Sequence, residues 1–228
     1  MTRMWSGWDL KNTAGLLILL LLPWQGLAGE VICAPPRGLK PVVAVFTDRT
    51  PVIAVHVEDA QAIRKMVDET EEGTPGTEWD SKTVSEFDFK SAFGIAYDTS
   101  PGNRCYFIRT VEANFGVRKH EIYIPSEYAK DSCQYKALWE HEMKHVNADI
   151  QLVHDYSSYI DLVLREWIAT LEPVVADSPE EATEIVSEKV GKLVDPILGD
   201  FARVQKFRIR EINARSEYEK IRDLCPSW

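Results

Sequence analysis

The chain has 228 residues, with 26 lysines and arginines against 36 aspartates and glutamates, and a formal net charge of −10. This length is enough for one domain with a hydrophobic core. The acidic balance and the lack of any basic cluster in the sequence argue against nucleic acid as a partner.

The first 28 residues have the pattern of a secretory signal peptide. Arg3 and Lys11 form a basic start, residues 14–22 are a continuous apolar run, and residues 26–28 (GLA) are small near a cleavage site. We expect cleavage after Ala28 and an exported protein, periplasmic or extracellular, with no stable membrane span. The alternative is a retained anchor, but the run is shorter than the roughly 20 residues that a spanning helix needs.

All four cysteines follow this cleavage site: Cys33, Cys105, Cys133 and Cys225. An even number in an exported chain predicts two disulfides, for which three pairings exist. We prefer Cys105 with Cys133, which would join a strand to a helix start, and Cys33 with Cys225, which would join the two ends of the mature chain. A cysteine zinc site is the weaker alternative, because the sequence has no C-x-x-C spacing.

Residues 29–125 are predicted to be mainly β. β-branched and aromatic runs, helical spacing of apolar residues and turn signals define the elements. In chain order they are strands at 41–47 and 51–57, a short helix at 58–68, a polar loop at 69–82, a strand region at 87–97, a turn at 98–103, and a hairpin of 105–115 and 117–124 around Asn114-Phe115-Gly116.

Residues 126–228 are predicted to be mainly helical. Ser132 can cap a helix that runs from about residue 133 to about 171, and Ser178-Pro179-Glu180-Glu181 starts a second one. We expect the second helix to run to about Leu224 with a bend near Pro196 and Gly199. The short link favours an antiparallel helical hairpin. The predicted fold class is therefore α+β: a mixed or antiparallel sheet with a short helix, then the hairpin, in one domain of residues 29–228.

The first of these helices contains the pattern H-E-x-x-H, with His141, Glu142 and His145. Residues four apart lie on one face of a helix, so the two imidazoles can bind one Zn²⁺ ion from the same side. Glu142 would flank that ion as a general base that takes a proton from the attacking water. The alternative is a solvated helix that carries two histidines by accident.

This motif, preceded by a strand that could form a sheet edge, resembles the zincin metallopeptidases. The resemblance covers residues 105–149. Together with Leu138-Trp139-Glu140 and Val146, the motif is also similar to an exported bacterial family of predicted zinc proteases. The resemblance implies that His141 and His145 bind zinc, that Glu142 activates water, and that an extended peptide lies along the edge strand.

The third zinc ligand is left open by the sequence. The metzincin pattern is excluded, because Ala148 and Gln151 occupy its glycine and histidine positions. His154 faces away from the motif on a continuous helix. Asp149, one turn beyond His145, is predicted to hydrogen-bond its outer ring nitrogen, or else to be a solvated aspartate.

Later glutamates supply further candidates for this ligand. Glu166 lies too far along an unbroken helix. In the helical hairpin the residues opposite the motif are 209–213, so Glu211 is the preferred ligand, with Glu217 and Glu219 as alternatives in a shifted register. Each of these could equally belong to a charged, solvated helix face.

Four other residues are candidates for roles at the site. His120, on the preceding strand, could be the third ligand or a transition-state donor. Tyr123, Tyr128 and Tyr218 could each donate a hydrogen bond to an oxyanion, and the sequence does not choose among them.

Three functions follow from these observations. The first is an exported zinc-dependent hydrolase of peptide or amide bonds in a peptide or protein, with peptidoglycan peptides as one candidate because of the compartment. The second is a non-catalytic metal-binding protein of the cell envelope, and the third is a structural or interaction protein built on the helical hairpin.

Overall fold

The computed structural model describes residues 33–47, 53–69, 81–98 and 104–228, with the backbone alone described at 53–57 and 67–69. Cys33–Trp228 forms one compact unit. The predicted signal peptide lies outside the described residues, as do most of the predicted loop at 69–82 and most of the turn at 98–103.

The described residues form an α+β fold with a mixed sheet and four helices, which confirms the predicted class. The elements are β1 (Val42–Phe46), β2 (Ile53–Glu58), α1 (Ala60–Glu69), β3 (Lys82–Tyr97), β4 (Cys105–Pro125), α2 (Cys133–Ala169), β5 (Val174–Val175), α3 (Pro179–Ile212) and α4 (Arg215–Leu224).

The strand β4 is the centre of the sheet and pairs with every other strand. β1 and β2 lie parallel to it, with Phe46 opposite Asn114 and Ile53 opposite Glu121. β3 runs antiparallel to β4 over its whole length, and the two-residue β5 pairs with the start of β4. Apart from β4, no described strand pairs with β3, so β3 is an edge of the sheet. The prediction that the strand before the motif helix forms a sheet edge is wrong, because that strand is β4, which has partners on both sides.

The predicted hairpin around Asn114-Phe115-Gly116 is wrong, because β4 passes through these residues as one strand. Gly116 pairs with Asp88 in the continuous β3–β4 ladder. Phe115 is 2% exposed, and its ring packs edge-on against the Phe201 ring, with 5.0 Å between the two ring centroids. A turn at this point would interrupt the ladder and place a buried aromatic ring at a loop tip.

The long helix α2 begins at the predicted cap, where the Ser132 hydroxyl accepts a hydrogen bond from the Tyr135 amide at 3.1 Å. One apolar stripe of α2 packs on the sheet, as the hydrophobic effect requires of an amphipathic helix. Near its start this stripe forms a cluster with β4, made of Leu138, Val146, Ile122 and Ile124. Glu142, one turn from both Leu138 and Val146, therefore lies on the sheet-facing side of α2.

The second helical stretch is divided differently from the prediction. The Ser178 hydroxyl caps α3 at the Glu181 amide, and α3 continues through Pro196 to Ile212. The chain leaves the helix at Asn213 and starts α4 at Arg215. The contacts between α2 and the second helical stretch run in opposite chain order: Tyr156 with Asp200, Asp149 with Gln205, and His145 with Asn213.

The predicted disulfide pairing is also wrong. The structure joins Cys33 to Cys105 and Cys133 to Cys225. The reason is the return path of the chain, because α4 packs against the start of α2 and brings Cys225 beside Cys133. Two disulfides are consistent with an exported protein. No helix among the described residues is long and apolar enough to span a membrane.

Candidate functional site

The three motif side chains are all buried. His141 is 1% exposed, Glu142 is 2% exposed and His145 is 8% exposed. Glu142 lies one turn from both Leu138 and Val146, which pack on β4, whereas the two histidines face the end of α3 and α4. A solvated helix with two incidental histidines does not agree with this burial.

The two histidines converge on one point at the end of α3. The Asn213 side-chain oxygen lies 2.9 Å from Nε2 of His145 and 3.3 Å from Nε2 of His141. Asn213 is the C-cap residue of α3, and its side chain points back at α2. The sequence predicts that residues 209–213 lie opposite the motif and that Glu211 is the ligand among them, whereas the residue that contacts the histidines is Asn213.

Tyr218 completes this group of polar atoms. Its hydroxyl oxygen lies 2.7 Å from Nε2 of His141 and 3.3 Å from the Asn213 oxygen. The Tyr218 and His141 rings are 4.8 Å apart between centroids. Of the three tyrosines proposed from the sequence, Tyr218 is the one beside the histidines; Tyr123 bonds to Glu121, and Tyr128 packs against Trp228.

Burial sets the protonation of His141. Loss of solvation lowers its pKa to about 4, against which the nearby Glu142 carboxylate acts in the opposite direction. The Nδ1 atom of His141 is buried and has no hydrogen-bond partner among the described residues. His141 is therefore a neutral imidazole near pH 7, which is the form that binds metals.

The Glu142 carboxylate is held by the edge strand. Ser81 donates a hydrogen bond to Oε1 at 2.6 Å, and Thr83 donates one to Oε2 at 2.7 Å. These two hydroxyls come from the start of β3, and they satisfy a buried carboxylate that would otherwise be costly to desolvate. The sequence did not point to Ser81 or Thr83, because the β3 register is set by pairing with β4.

The carboxylate of Asp149 does not contact His145, contrary to the prediction. It lies 3.5 Å from Nε2 of His120 and accepts a hydrogen bond from Gln205 at 3.2 Å. His120 is fully buried, and neither ring nitrogen has a hydrogen-bond partner among the described residues. His120 and Asp149 thus form a separate buried pair between β4 and α2.

The predicted third ligand, Glu211, is exposed on α3, whereas Asn213 contacts both histidines. Glu217 forms ion pairs with Lys220 and Lys144, and hydrogen bonds from these lysines lower its pKa to about 2. Glu219 is exposed and pairs with Arg215. These contacts favour Asn213 over all three glutamates as a partner of the histidines.

Four polar atoms converge here, one each from His141, His145, Asn213 and Tyr218, and their separations can be compared with those in a zinc site. Donor atoms of a tetrahedral zinc site stand about 3.3 Å apart when the bonds are about 2.0–2.1 Å. The four separations given above run from 2.7 to 3.3 Å. These four separations are equal to or slightly shorter than the spacing of zinc donors, so a zinc ion would require the donors to move outward.

The chemical types of these donors are unusual for a zinc site. Among the described residues, no three His, Cys, Asp or Glu side chains are grouped so that they could hold a metal ion. Beyond the two imidazoles, the third ligand would have to be the Asn213 amide oxygen, with the Tyr218 hydroxyl beside the fourth position. A site of neutral donors is expected to bind zinc less tightly than one with a carboxylate.

Comparison of the chain with protein-family models, with curated proteins and with solved structures finds no match.

Proposed function

We propose that this protein is an exported, periplasmic or extracellular, zinc-dependent hydrolase of peptide or amide bonds. The observation that supports it best is the convergence of the two buried Nε2 atoms of His141 and His145 on the Asn213 oxygen. In this proposal the two histidines and Asn213 bind the ion, which leaves one position for an outside ligand. When bound, zinc would polarise the substrate carbonyl and lower the pKa of water.

The role of general base falls to Glu142. Its carboxylate is close enough to His141 for its charge to raise the pKa of that imidazole, and it is the residue that the motif provides for proton transfer. The Ser81 and Thr83 hydroxyls fix the orientation of the carboxylate through one hydrogen bond to each oxygen. A carboxylate held in this way does not have to reorganise before it accepts a proton.

An extended peptide is the substrate class that the sheet favours. β3 has a free edge among the described strands, and its first residues contact Glu142. A peptide that adds to such an edge gains main-chain hydrogen bonds without a side-chain requirement. Peptidoglycan peptides remain a candidate on the ground of compartment alone.

The test compares wild type with Glu142→Gln on zinc-loaded protein and a broad library of peptides. Each protein is assayed with its disulfides intact and after treatment with a dithiol, because Tyr218 lies at the position that an outside ligand needs. We expect both proteins to bind zinc and the variant to lose hydrolysis by at least about a hundredfold. Equal cleavage by the two proteins would refute the proposal.

A second function, zinc binding without catalysis, is favoured by one observation. Both oxygens of Glu142 already accept hydrogen bonds from side chains, and the carboxylate is 2% exposed. In that case wild type and Glu142→Gln would bind zinc equally, and neither would cleave any peptide in either redox state.

A further inference from the structure

Helix α4 covers the two histidines, and its residues Arg215–Leu224 are called the α4 lid below. Tyr218 is the lid residue that faces the site, with its hydroxyl 2.7 Å from Nε2 of His141 and 3.3 Å from the Asn213 oxygen. With the lid in place, His141 is 1% exposed. Tyr218 thus fills the place beside the donors that a water molecule or a substrate carbonyl would need.

The lid has few non-covalent contacts of its own. Ile221 is its single buried side chain, packed with Ala137 and Cys225. Glu217 forms an ion pair with Lys144 at 2.9 Å, but exposed pairs of this kind contribute little to stability. A helix of 10 residues is marginal by itself in water.

A disulfide compensates for these sparse contacts. Cys225 directly follows the lid and is bonded to Cys133, the first residue of α2. At its other end the lid continues into α3 through Asn213 and Ala214, so it is covalently held at both ends. Without the disulfide the lid would be covalently attached at one end only. Just beyond it, Trp228 would still pack against Tyr128, and Ser227 would still accept a hydrogen bond from Gln134.

The two disulfides differ in their access to solvent. Cys133 is exposed at the start of α2 and its partner Cys225 is 6% exposed, so the solvent side of this bond is the Cys133 side, from which a thiolate would approach. The other disulfide joins Cys33 to Cys105, which is 1% exposed at the start of β4 and has no part in the lid. The chain therefore has two disulfides that can be removed one at a time, and the Cys133–Cys225 bond is the one that restrains the lid.

We propose that the Cys133–Cys225 disulfide is a redox switch that holds the α4 lid over His141 and His145, and that its reduction opens the site. The proposal rests on the function proposed above. The reductant is a dithiol: one thiolate attacks Cys133 Sγ and releases the Cys225 thiolate, and the second thiol then displaces Cys133. Two electrons and two protons leave the dithiol, which becomes a disulfide, and Cys133 and Cys225 become thiols.

The test measures how fast each histidine of the metal-free, full chain reacts with diethyl pyrocarbonate, an acylating reagent for neutral imidazoles. Peptide mass spectrometry follows each position. The variant is Cys133→Ser with Cys225→Ser, and the matched control is Cys33→Ser with Cys105→Ser. Two histidines are internal standards: His120 is fully buried in the sheet, and His154 is exposed.

We expect His141 and His145 to react at least about tenfold faster in the Cys133/Cys225 variant than in wild type or in the control variant. His120 should stay slow and His154 fast in all three proteins. Unchanged rates at His141 and His145 would overturn the proposal, as would equal acceleration in both variants. Acceleration of His120 together with the others would also overturn it, because the whole domain would then be opening.

Reduction of the wild type by dithiothreitol repeats the test without a substitution, in case a variant does not fold. Cleavage of Cys133–Cys225 should accelerate the reaction of the same two histidines. Because dithiols bind zinc, the dithiothreitol is removed and the new thiols are alkylated before zinc is added, and the hydrolysis rate of the zinc-loaded protein should then rise. The histidine rates do not depend on zinc. Lid opening without zinc binding would therefore refute only the proposed function, and zinc binding without lid opening would refute only the switch.

Discussion

The side-chain oxygen of Asn213 lies 2.9 Å from Nε2 of His145, although 68 residues separate them in the chain. The contact exists because α3 returns along α2 and ends opposite the motif. The same oxygen lies 3.3 Å from Nε2 of His141, so one amide group touches both histidines. This contact is the basis for placing Asn213 in the metal site.

If Asn213 is a zinc ligand, its replacement changes zinc affinity in a direction set by the new side chain. We expect Asn213→Ala to weaken zinc binding by at least about tenfold, because a donor is lost. Asn213→Asp should tighten it, because a carboxylate is a stronger ligand. Competition with a chromophoric chelator measures both. The control is Glu211→Ala, an exposed position two residues away; if it weakens zinc binding as much as Asn213→Ala does, the assignment is wrong.

The hydroxyl of Thr83 stabilises the buried Glu142 carboxylate through a 2.7 Å hydrogen bond. Thr83→Val removes the donor and keeps the shape, so we expect the free energy of unfolding to fall by about 1–3 kcal/mol. Denaturant titration of metal-free protein measures this change. Thr83→Ser retains the hydroxyl and should lose less than half as much. A valine variant as stable as wild type would show that this hydrogen bond does not stabilise the fold.

The stability of the metal-free protein should depend on pH through His141. Burial lowers its pKa to about 4 in the folded state, against 6.5 for an ordinary histidine. Between these two values the unfolded chain binds a proton that the folded chain does not bind. The free energy of unfolding should therefore fall by about 3 kcal/mol as the pH is lowered from 6.5 to 4. Above pH 6.5 His141 should contribute no pH dependence.

Denaturant titrations at several pH values test this prediction with two variants. His141→Gln should lose the slope, whereas His154→Gln should keep it, because His154 is exposed. Parallel pH profiles for wild type and His141→Gln would contradict the assignment.

The disulfide pairing can be checked directly on oxidised protein. Proteolysis without reduction followed by mass spectrometry should yield cross-linked peptides that join Cys33 to Cys105 and Cys133 to Cys225. Peptides that join Cys105 to Cys133 would contradict the fold, because α4 could not then be tied to the start of α2.

The parts of the fold that follow local rules could be predicted from the sequence. Ser132 and Ser178 both cap helices at their expected positions, since an N-cap depends on residues within one turn. The hairpin prediction failed because Gly116 suggests a turn locally, whereas the long β3 ladder keeps it extended. The disulfide prediction failed for a related reason: pairing depends on where the chain returns, which the cysteine spacing does not contain.

In the candidate site too, the residues that follow local rules could be predicted, and those brought in by distant parts of the chain could not. His141, Glu142 and His145 lie within two turns of one helix, and their spacing alone places them together. Tyr218 is one of three candidate tyrosines and Asn213 lies in the predicted range opposite the motif, but neither could be singled out. The break between α3 and α4 falls at Asn213-Ala214, without a glycine or proline to mark it. Ser81 and Thr83 reach Glu142 only through the β3 register.

The most direct test of the central claim is the zinc content of purified, signal-free protein after reconstitution and removal of loosely bound metal. Wild type, His145→Ala and His154→Ala are measured side by side. We predict about one zinc per chain in wild type and in His154→Ala, and none in His145→Ala. No zinc in wild type, or equal zinc in all three proteins, would contradict a metal site at His141 and His145.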